Sequence, residues 1–163
     1  MIPVLNPEDA LVKSKGMAPG ECLLAGELRT KSIEGYIYPS PTLLNGMVQG
    51  KTLVLSITNG TVALQISSSA KKVYISSLLN NPSVAEKIKN VYQTETIIIV
   101  CSRNSGEFSM EDFYGAGHLI DCLVQGKRDA FILNDATLAA CTFYRKNVDE
   151  AFQIIQSSHV GQP

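Results

Sequence analysis

Short apolar runs of strand type alternate along this chain with helical patterns, and this alternation constrains the fold more than any other feature. The strand-like runs are residues 2–5, 22–25, 53–57, 73–75 and 96–101. Strands joined by helical crossovers of about ten or more residues are parallel, and helices then cover both faces of the sheet. The sequence therefore predicts one α/β domain over residues 1–163, with three layers (α/β/α) and a mostly parallel or mixed sheet.

Capping residues mark where the predicted helices begin. A side-chain oxygen at a helix start accepts a hydrogen bond from the first turn, and proline fits the first helical position. The predicted caps are Asn6, Asn81, Ser109 and Asn134. The last helical stretch is expected to break near Asn147 and to continue to about residue 157. Residues 26–40 are polar and rich in glycine, proline and tyrosine, which predicts the longest loop.

Composition and charge exclude several classes of protein. Hydrophobic residues make up 45% of the chain and charged residues 18%, which excludes a disordered chain. The net charge of −1 provides no general attraction for nucleic acid or for an anionic membrane. The longest apolar run, residues 97–101, is far shorter than the roughly 18 residues of a membrane span. The first residues lack a signal-peptide pattern, so a cytoplasmic protein is expected.

The four cysteines, Cys22, Cys101, Cys122 and Cys141, are far apart in sequence and have apolar neighbours. They form no CxxC pair, and the chain has two histidines, which argues against a zinc site or a disulfide scaffold. We expect reduced, buried thiols.

Two loops could bind an anion, because ligands of parallel sheets lie beyond the carboxyl ends of the strands. In the first, Asn59, Gly60 and Thr61 stand between a strand and a helix, where backbone N–H groups favour negative charge. The alternative is an ordinary Asn-Gly turn.

The second loop follows residues 96–101. Ser105, Gly106 and Ser109 supply hydroxyl groups and a flexible backbone near Arg103, which suits a phosphate or a sulfonate. A solvated loop is the alternative. Because Glu107 stands where a cysteine phosphatase places its arginine, that class of enzyme is excluded.

Acidic and histidine side chains complete the candidates. Glu27 and Asp112 lie at a loop end or in a first helical turn and offer the oxygen ligands that Mg²⁺ prefers. Each could instead be an acidic residue that only stabilises the partial positive charge at a helix amino terminus. His159 follows the last predicted helix and could meet an anion, or belong to a loose tail. No P-loop, GxGxxG, GxSxG or HExxH motif occurs in the sequence.

Several stretches, taken in order, resemble the 2-phosphosulfolactate phosphatase family. They are Ala25-Gly26-Glu27, Ile33-Glu34-Gly35-Tyr36, Thr58-Asn59-Gly60-Thr61, Gly106-Glu107-Phe108-Ser109 and Ser158-His159. The resemblance implies a cytoplasmic, Mg²⁺-dependent phosphatase with a three-layer α/β fold. Its expected reaction is hydrolysis of 2-phospho-3-sulfolactate to sulfolactate and phosphate, a step of coenzyme M or sulfolactate synthesis.

The resemblance also implies roles for the candidate residues. Glu27 would bind or orient the metal, with Asp112 as a second ligand, and His159 would protonate the leaving alkoxide after attack by water. Residues 59–61 would hold one anionic group of this small phosphorylated and sulfonated substrate. Ser105, Gly106 and Ser109 would hold the other.

Departures from the family leave a second hypothesis open. Family members have an amino-terminal Asp-Val-Leu-Arg-Ala-Thr-type strand and a further carboxyl-terminal segment, both expected to lie outside this chain. Leu28-Arg29-Thr30 replaces the family's arginine and glycines, and Ile37 replaces an acid. We therefore expect low turnover from these residues alone. The alternative is a non-catalytic α/β module that binds anions or has a purely structural role. The sequence leaves open whether the protein forms a homo-oligomer.

Overall fold

The structure is a computed structural model that describes residues 1–103, 106–126 and 128–158, without the side chain of Arg128. The chain divides into two compact units, residues 1–71 (unit 1) and residues 72–163 (unit 2). The single domain expected from the sequence stays a prediction.

Unit 1 contains a four-stranded mixed sheet. Its strands are β1 (Ile2–Val4), β2 (Cys22–Leu28), β3 (Lys31–Ser32) and β4 (Thr52–Ser56). They lie in the order β1-β4-β2-β3, with β4 parallel to both β1 and β2 and with β3 antiparallel to β2. The predicted α/β class with a mixed sheet is confirmed.

Three helices accompany this sheet. They are α1 (Pro7–Ser14), α2 (Pro41–Leu44) and α3 (Gly60–Ile66), and α3 continues into a 3₁₀ turn, Ser67–Ser69. Asn6 caps α1 as predicted, since its Oδ1 accepts the N–H of Asp9 at 2.8 Å. Ala10 of α1 is buried with Val4 and Val54, so α1 contributes to the core of this unit.

Gly26 sets the approach of β2 to β4. A Cβ added to Gly26 would lie 2.5 Å from the carbonyl oxygen of Ser56, its partner in the register, so a side chain there would force the strands apart. β2 runs to Leu28, three residues beyond the predicted strand. The predicted loop over residues 26–40 therefore holds the end of β2 and all of β3, because the chain reverses at residues 29–30.

Unit 2 is built on helices. They are α4 (Asn81–Val91), α5 (Met110–Val124), α6 (Asp135–Lys146) and α7 (Ala151–Ser157), with 3₁₀ turns at Arg128–Ala130 and Val148–Glu150. The break between α6 and α7 falls at Asn147, as predicted. α5 and α6 touch through their backbones, since a Cβ added to Gly117 would lie 2.2 Å from the carbonyl oxygen of Ala140. Ile120, Leu123 and their buried neighbours form the core along α5.

Two predicted strands are absent from the described part of unit 2. Residues 73–75 and 96–101 carry no β-ladder, so the predicted strand over residues 96–101, which was expected to lie parallel to residues 53–57 in one sheet, is not formed. The apolar run that predicted a strand is explained by packing, because Ile97 and Ile99 lie against the helical core. The described residues include no helix long and apolar enough to cross a membrane.

Two other predictions need correction. Asn81 is the first residue of α4 and not its cap; Asn80 precedes the helix, and its side chain accepts the N–H of Ser77 instead. None of the four cysteines forms a disulfide bond, as predicted, but only Cys141 is buried and the others are half-buried. Burial raises the pKa of the Cys101 and Cys122 thiols, which favours their protonated forms.

Candidate functional site

In unit 1, the carboxylate of Glu27 joins two loops at the same edge of the sheet. Its Oε1 accepts the backbone N–H of Thr58 at 2.7 Å. Its Oε2 accepts the N–H of Thr30 at 2.5 Å and the hydroxyl of Thr58 at 3.2 Å. Because β2 and β4 are parallel neighbours, their carboxyl ends lie together, and Glu27 ties the turn after β2 to the loop after β4.

The turn after β2 has an unusual backbone. Arg29 and Thr30 have φ angles of 51° and 66°, in the left-handed region that glycine or asparagine normally occupies. Such a conformation costs about 1 kcal/mol or more for a residue with a Cβ atom. The N–H of Arg29 donates to the hydroxyl of Thr58 at 2.8 Å, which with the bonds to Glu27 offsets that cost. The turn therefore depends on Glu27 and Thr58.

The same turn places a cation at the edge of the sheet. The side chain of Arg29 is exposed, and no hydrogen bond or ion pair joins its guanidinium to the described residues. The arginine is thus fixed through its backbone while its charge faces solvent. An anion that approaches the carboxyl ends of β2 and β4 would meet this charge.

The loop after β4 contains the three residues predicted to hold an anion. Thr61 is buried, and its hydroxyl donates to the carbonyl of Ile57 at 2.6 Å, so that hydroxyl is used inside the helix start. Asn59 precedes α3 with a helical backbone, and its side chain does not cap the helix. A Cβ added to Gly60 would meet only the flexible end of Ile57, at 2.7 Å, so no backbone approach within unit 1 requires glycine at this position.

In unit 2, Asp112 holds the other predicted loop in a similar way. Its Oδ2 accepts the N–H of Arg103 at 2.8 Å and the hydroxyl of Ser102 at 3.1 Å. Arg103 has a φ of 66°, also left-handed. Ser109 caps α5 as predicted, because its hydroxyl accepts the N–H of Asp112 at 3.2 Å. The carboxylate therefore fixes the start of the loop that leads to Gly106, which has a φ of 93°.

The predicted residues thus fall into separate groups. Glu27 lies beside the loop that carries residues 59–61 in unit 1, and Asp112 lies beside Ser109 in unit 2. Ser105 and His159 lie outside the described residues. His118 instead lies in a half-buried contact, in which its Nδ1 is 3.3 Å from Nδ2 of the buried Asn81. Burial lowers the pKa of His118, so the neutral ring is favoured.

We tested whether the predicted acids fit a metal ion. No three His, Cys, Asp or Glu side chains among the described residues converge on one point. Glu27 uses three of about four carboxylate lone-pair positions for Thr30 and Thr58, which leaves one position on Oε1. The described acids therefore do not make a complete metal site in either unit, and their observed contacts are with loop N–H and hydroxyl groups.

Two residues of this arrangement were missed by the sequence analysis as candidates. Thr58 links Glu27 to Arg29, yet the sequence indicates only a loop at its position. The turn at Arg29 lacks the Asn-Gly or Gly-Gly pair that usually marks a tight hairpin, so the sequence held no local signal for it. The position of Thr58 two residues after the end of β4 is the one signal that could identify it.

Fold and site together define an α/β protein that presents polar, cationic loops at the carboxyl ends of its parallel strands, the usual place for a ligand in such sheets. The family model for 2-phosphosulpholactate phosphatase matches residues 1–163. The chain therefore belongs to the 2-phosphosulpholactate phosphatase family.

Curated relatives support this assignment. A protein of Clostridium beijerinckii named probable 2-phosphosulfolactate phosphatase is 32% identical over 161 residues, which are 98% of this chain and 66% of that protein. Proteins of the same name from Clostridium acetobutylicum and Clostridium novyi are 36% and 37% identical over 151 residues, 91% of this chain and 63% and 62% of their own lengths. The chain thus spans slightly less than two thirds of each of these relatives.

Proposed function

We propose that this chain is part of a phosphoric monoester hydrolase that converts 2-phospho-3-sulfolactate and water to sulfolactate and phosphate. Family membership over residues 1–163 supports the reaction class, and the names of the relatives support the substrate. The observation that carries the proposal to particular residues is the Glu27–Thr58–Arg29 network, because it holds an exposed cation at the ligand-binding edge of the sheet.

In this proposal, the side chain of Arg29 and the N–H groups of residues 59–61 bind the phosphate. Water attacks phosphorus in line, the bond between phosphorus and the ester oxygen breaks, and the leaving alkoxide takes a proton. Positive charge and N–H donors offset the negative charge on the phosphate oxygens in the transition state. Glu27 acts as a positioning residue for both loops. His159 is the proposed proton donor, and Ser105, Gly106 and Ser109 are proposed to bind an anionic group in unit 2.

The proposal also includes a requirement for Mg²⁺, a cytoplasmic location and a role in sulfolactate or coenzyme M synthesis. When bound, Mg²⁺ would neutralise phosphate charge. Glu27 and Asp112 stay the candidate ligands, although neither unit offers a complete site among its described residues. The proposal therefore includes further metal-binding residues beyond those that the structure describes.

Calorimetric titration of the chain with 2-phospho-3-sulfolactate tests the proposal. We expect Arg29→Gln to weaken binding at least about tenfold, as expected when a charged contact worth about 1.4 kcal/mol is lost. Lys31→Gln is the matched control, since Lys31 is exposed on the same hairpin and should leave the affinity unchanged. Equal effects of the two substitutions, or no binding by the unmodified chain, would refute the role of this edge.

A non-catalytic anion-binding module is the second candidate, and Ile37 favours it. Where the family resemblance implies an acid, Ile37 is half-buried and pairs along β2, with its N–H donating to Leu24 at 2.9 Å and its carbonyl accepting from Gly26 at 3.0 Å. Binding of the substrate without release of phosphate, with and without Mg²⁺, would support this candidate over the phosphatase.

A further inference from the structure

The side chain of Asn81, the first residue of α4, joins three parts of unit 2. Its Oδ1 accepts the hydroxyl of Ser76 at 2.5 Å. Its Nδ2 donates to the carbonyl of Gly115 at 2.9 Å and lies 3.3 Å from Nδ1 of His118, both on α5. Asn81 is only 1% exposed, whereas Ser76 begins a mostly exposed turn, residues 76–80, that precedes α4. The amide of Asn81 therefore ties this turn to α5.

These contacts determine both the orientation of the amide and the proton position on the imidazole. The carbonyl of Gly115 can only accept, so the group of Asn81 that faces it is the NH₂ group. Nδ1 of His118 then accepts from the same NH₂ group, and the neutral ring carries its proton on Nε2. Tyr144 of α6 stacks on this ring with centroids 4.9 Å apart, and burial raises the pKa of its phenol, which stays neutral.

A proton on Nδ1 of His118 leaves two donors opposed. The new N–H would face the NH₂ group of Asn81, so the hydrogen bond between them is lost. A flip of the amide would let Oδ1 accept from His118, but it would place this oxygen opposite the carbonyl of Gly115. Either arrangement leaves one polar contact unsatisfied at a buried amide, which is unfavourable. The arrangement therefore accommodates the neutral ring and not the charged one.

The charged groups around His118 do not remove this conflict. Burial lowers the pKa of His118, and the charge of Asp121, one turn further along α5, opposes the shift. The Asp121 carboxylate pairs with Arg145 of α6, whose Nε is 2.6 Å from its Oδ1. Lys89 of α4 donates to a backbone carbonyl one turn beyond His118. α7 also packs against α5 and has no titratable side chain, while Asp149 before it acts on a tyrosine of α5.

We propose that His118 and Asn81 form a pH-sensitive switch, in which protonation of Nδ1 releases the turn at residues 76–80 and the start of α4 from α5. The turn moves because it is mostly exposed, whereas Leu119 and Ile120, which follow His118 on α5, are buried in the core. Because burial lowers the pKa of His118, the turn is bound at neutral pH and is released below about pH 6.5. The switch concerns conformation and does not depend on the proposed reaction.

Amide hydrogen exchange followed by NMR at about pH 7.5 and about pH 5 tests the switch, with each rate divided by the rate of the unstructured chain at that pH. The reporters are the N–H groups of Ser77 and Asn81, which donate to Oδ1 of Asn80 at 2.7 Å and to the carbonyl of Ser77 at 2.9 Å. We expect their protection to fall at least about fivefold at the lower pH. The amide of Leu123, in the core along α5, should change much less. Nitrogen chemical shifts of His118 at the higher pH should show the proton on Nε2.

Two variants separate the switch from a general effect of acid. His118→Asn places an amide oxygen near the position of Nδ1, where it accepts from Asn81 but cannot titrate, so protection of the turn should no longer depend on pH. Ser76→Ala removes the hydroxyl between the turn and Asn81, so it should lower protection of the turn at both pH values and leave Leu123 unchanged.

Three results would overturn the proposal. They are equal protection of the turn at both pH values in the unmodified chain, an equal loss at Leu123, and full pH dependence in the His118→Asn variant. A neutral His118 ring with its proton on Nδ1 would also overturn it. The chemical shifts and the Ser76→Ala variant keep the test decisive if His118→Asn fails to fold.

Discussion

The carboxylate of Glu27 accepts the backbone N–H of Thr58 at 2.7 Å, which links two loops that are 31 residues apart in sequence. The same side chain accepts the N–H of Thr30, a residue in the left-handed region. Glu27 therefore determines the relative position of the hairpin that carries Arg29 and of the loop that carries residues 59–61. This role needs no metal ion, and it makes specific predictions about the stability of the chain.

Glu27→Gln should lower the free energy of unfolding by about 1–2 kcal/mol. The amide retains one acceptor oxygen but directs an NH₂ group at an N–H donor, so at least one of the three bonds is lost. Urea denaturation in the presence of a chelator measures the effect without any contribution from divalent ions. Glu34→Gln is the control, since Glu34 is exposed in the same unit. This substitution should change the free energy of unfolding by less than about 0.5 kcal/mol. Equal stability of the Glu27 variant and the unmodified chain would show that the network is dispensable.

Gly117→Ala should destabilise the chain by about 3 kcal/mol or more. The new Cβ would lie 2.2 Å from the carbonyl oxygen of Ala140 and 2.7 Å from Cβ of Tyr144, so α5 and α6 must separate. Gly115→Ala, two residues earlier in the same helix, meets no atom within 4 Å and should stabilise α5 by up to about 1 kcal/mol. Thermal unfolding of the two variants should therefore shift in opposite directions, and parallel shifts would contradict the close helix contact.

The stability of the chain should fall as the pH decreases from about 7 to about 5.5, and His118 should account for part of the fall. Burial lowers the pKa of His118, although Asp121 opposes the shift. The unfolded chain therefore takes up a proton near pH 6.5 while the folded chain resists it, so stability rises with pH across this range. Protonation would also place an N–H on Nδ1, opposite the Nδ2 donor of Asn81.

Chemical denaturation at several pH values measures this slope. His118→Gln cannot titrate, so the variant should lose less stability than the unmodified chain between about pH 7 and about pH 5.5. His159 is present in both proteins, and its contribution cancels in the difference. Identical slopes would mean that protonation of His118 does not affect folding.

The elements that the sequence predicted well are those with local signals. Asn6, Ser109 and Asn134 each cap a helix with the hydrogen bond that their position predicts. The short β-rich run over residues 53–57 predicted a strand, and this strand is found as β4, which lies between β1 and β2 in the sheet. In each case the residues within one turn or one strand determine the outcome.

The elements that the sequence did not predict depend on contacts distant in sequence. The hairpin at Arg29 and Thr30 is held by Glu27 and by Thr58, and no local pattern specifies either bond. Asn81 resembled a helix cap, but its Nδ2 donates to the carbonyl of Gly115 instead, 34 residues away. For the candidate site, the sequence identified Glu27 and the loop after β4, while their linkage through Thr58 required the structure.

Inorganic phosphate should raise the melting temperature if the edge formed by β2 and β4 binds anions, because a ligand that binds only the folded state adds RT ln(1 + [L]/Kd) to its stability. Asn59→Ala should reduce the shift by removing a side-chain donor. Gly60→Val should remove most of it by blocking approach to the backbone. Sodium chloride at equal ionic strength is the control for general salt effects. If phosphate and chloride give the same melting temperature, the loop after β4 is not an anion site.

Turnover is a separate matter from binding, and we expect it to be very low. Ile37 stands where the family resemblance implies an acid, and the chain spans slightly less than two thirds of each of the relatives compared. A loop that binds phosphate lowers the barrier only when groups that stabilise the leaving oxygen and position the water are also present. Release of phosphate from 2-phospho-3-sulfolactate with millimolar Mg²⁺ measures this directly, with the full-length Clostridium beijerinckii relative as the positive control. Rapid hydrolysis by these 163 residues would refute the expectation, and it would show that Glu27, Asp112 and the residues around them suffice for catalysis.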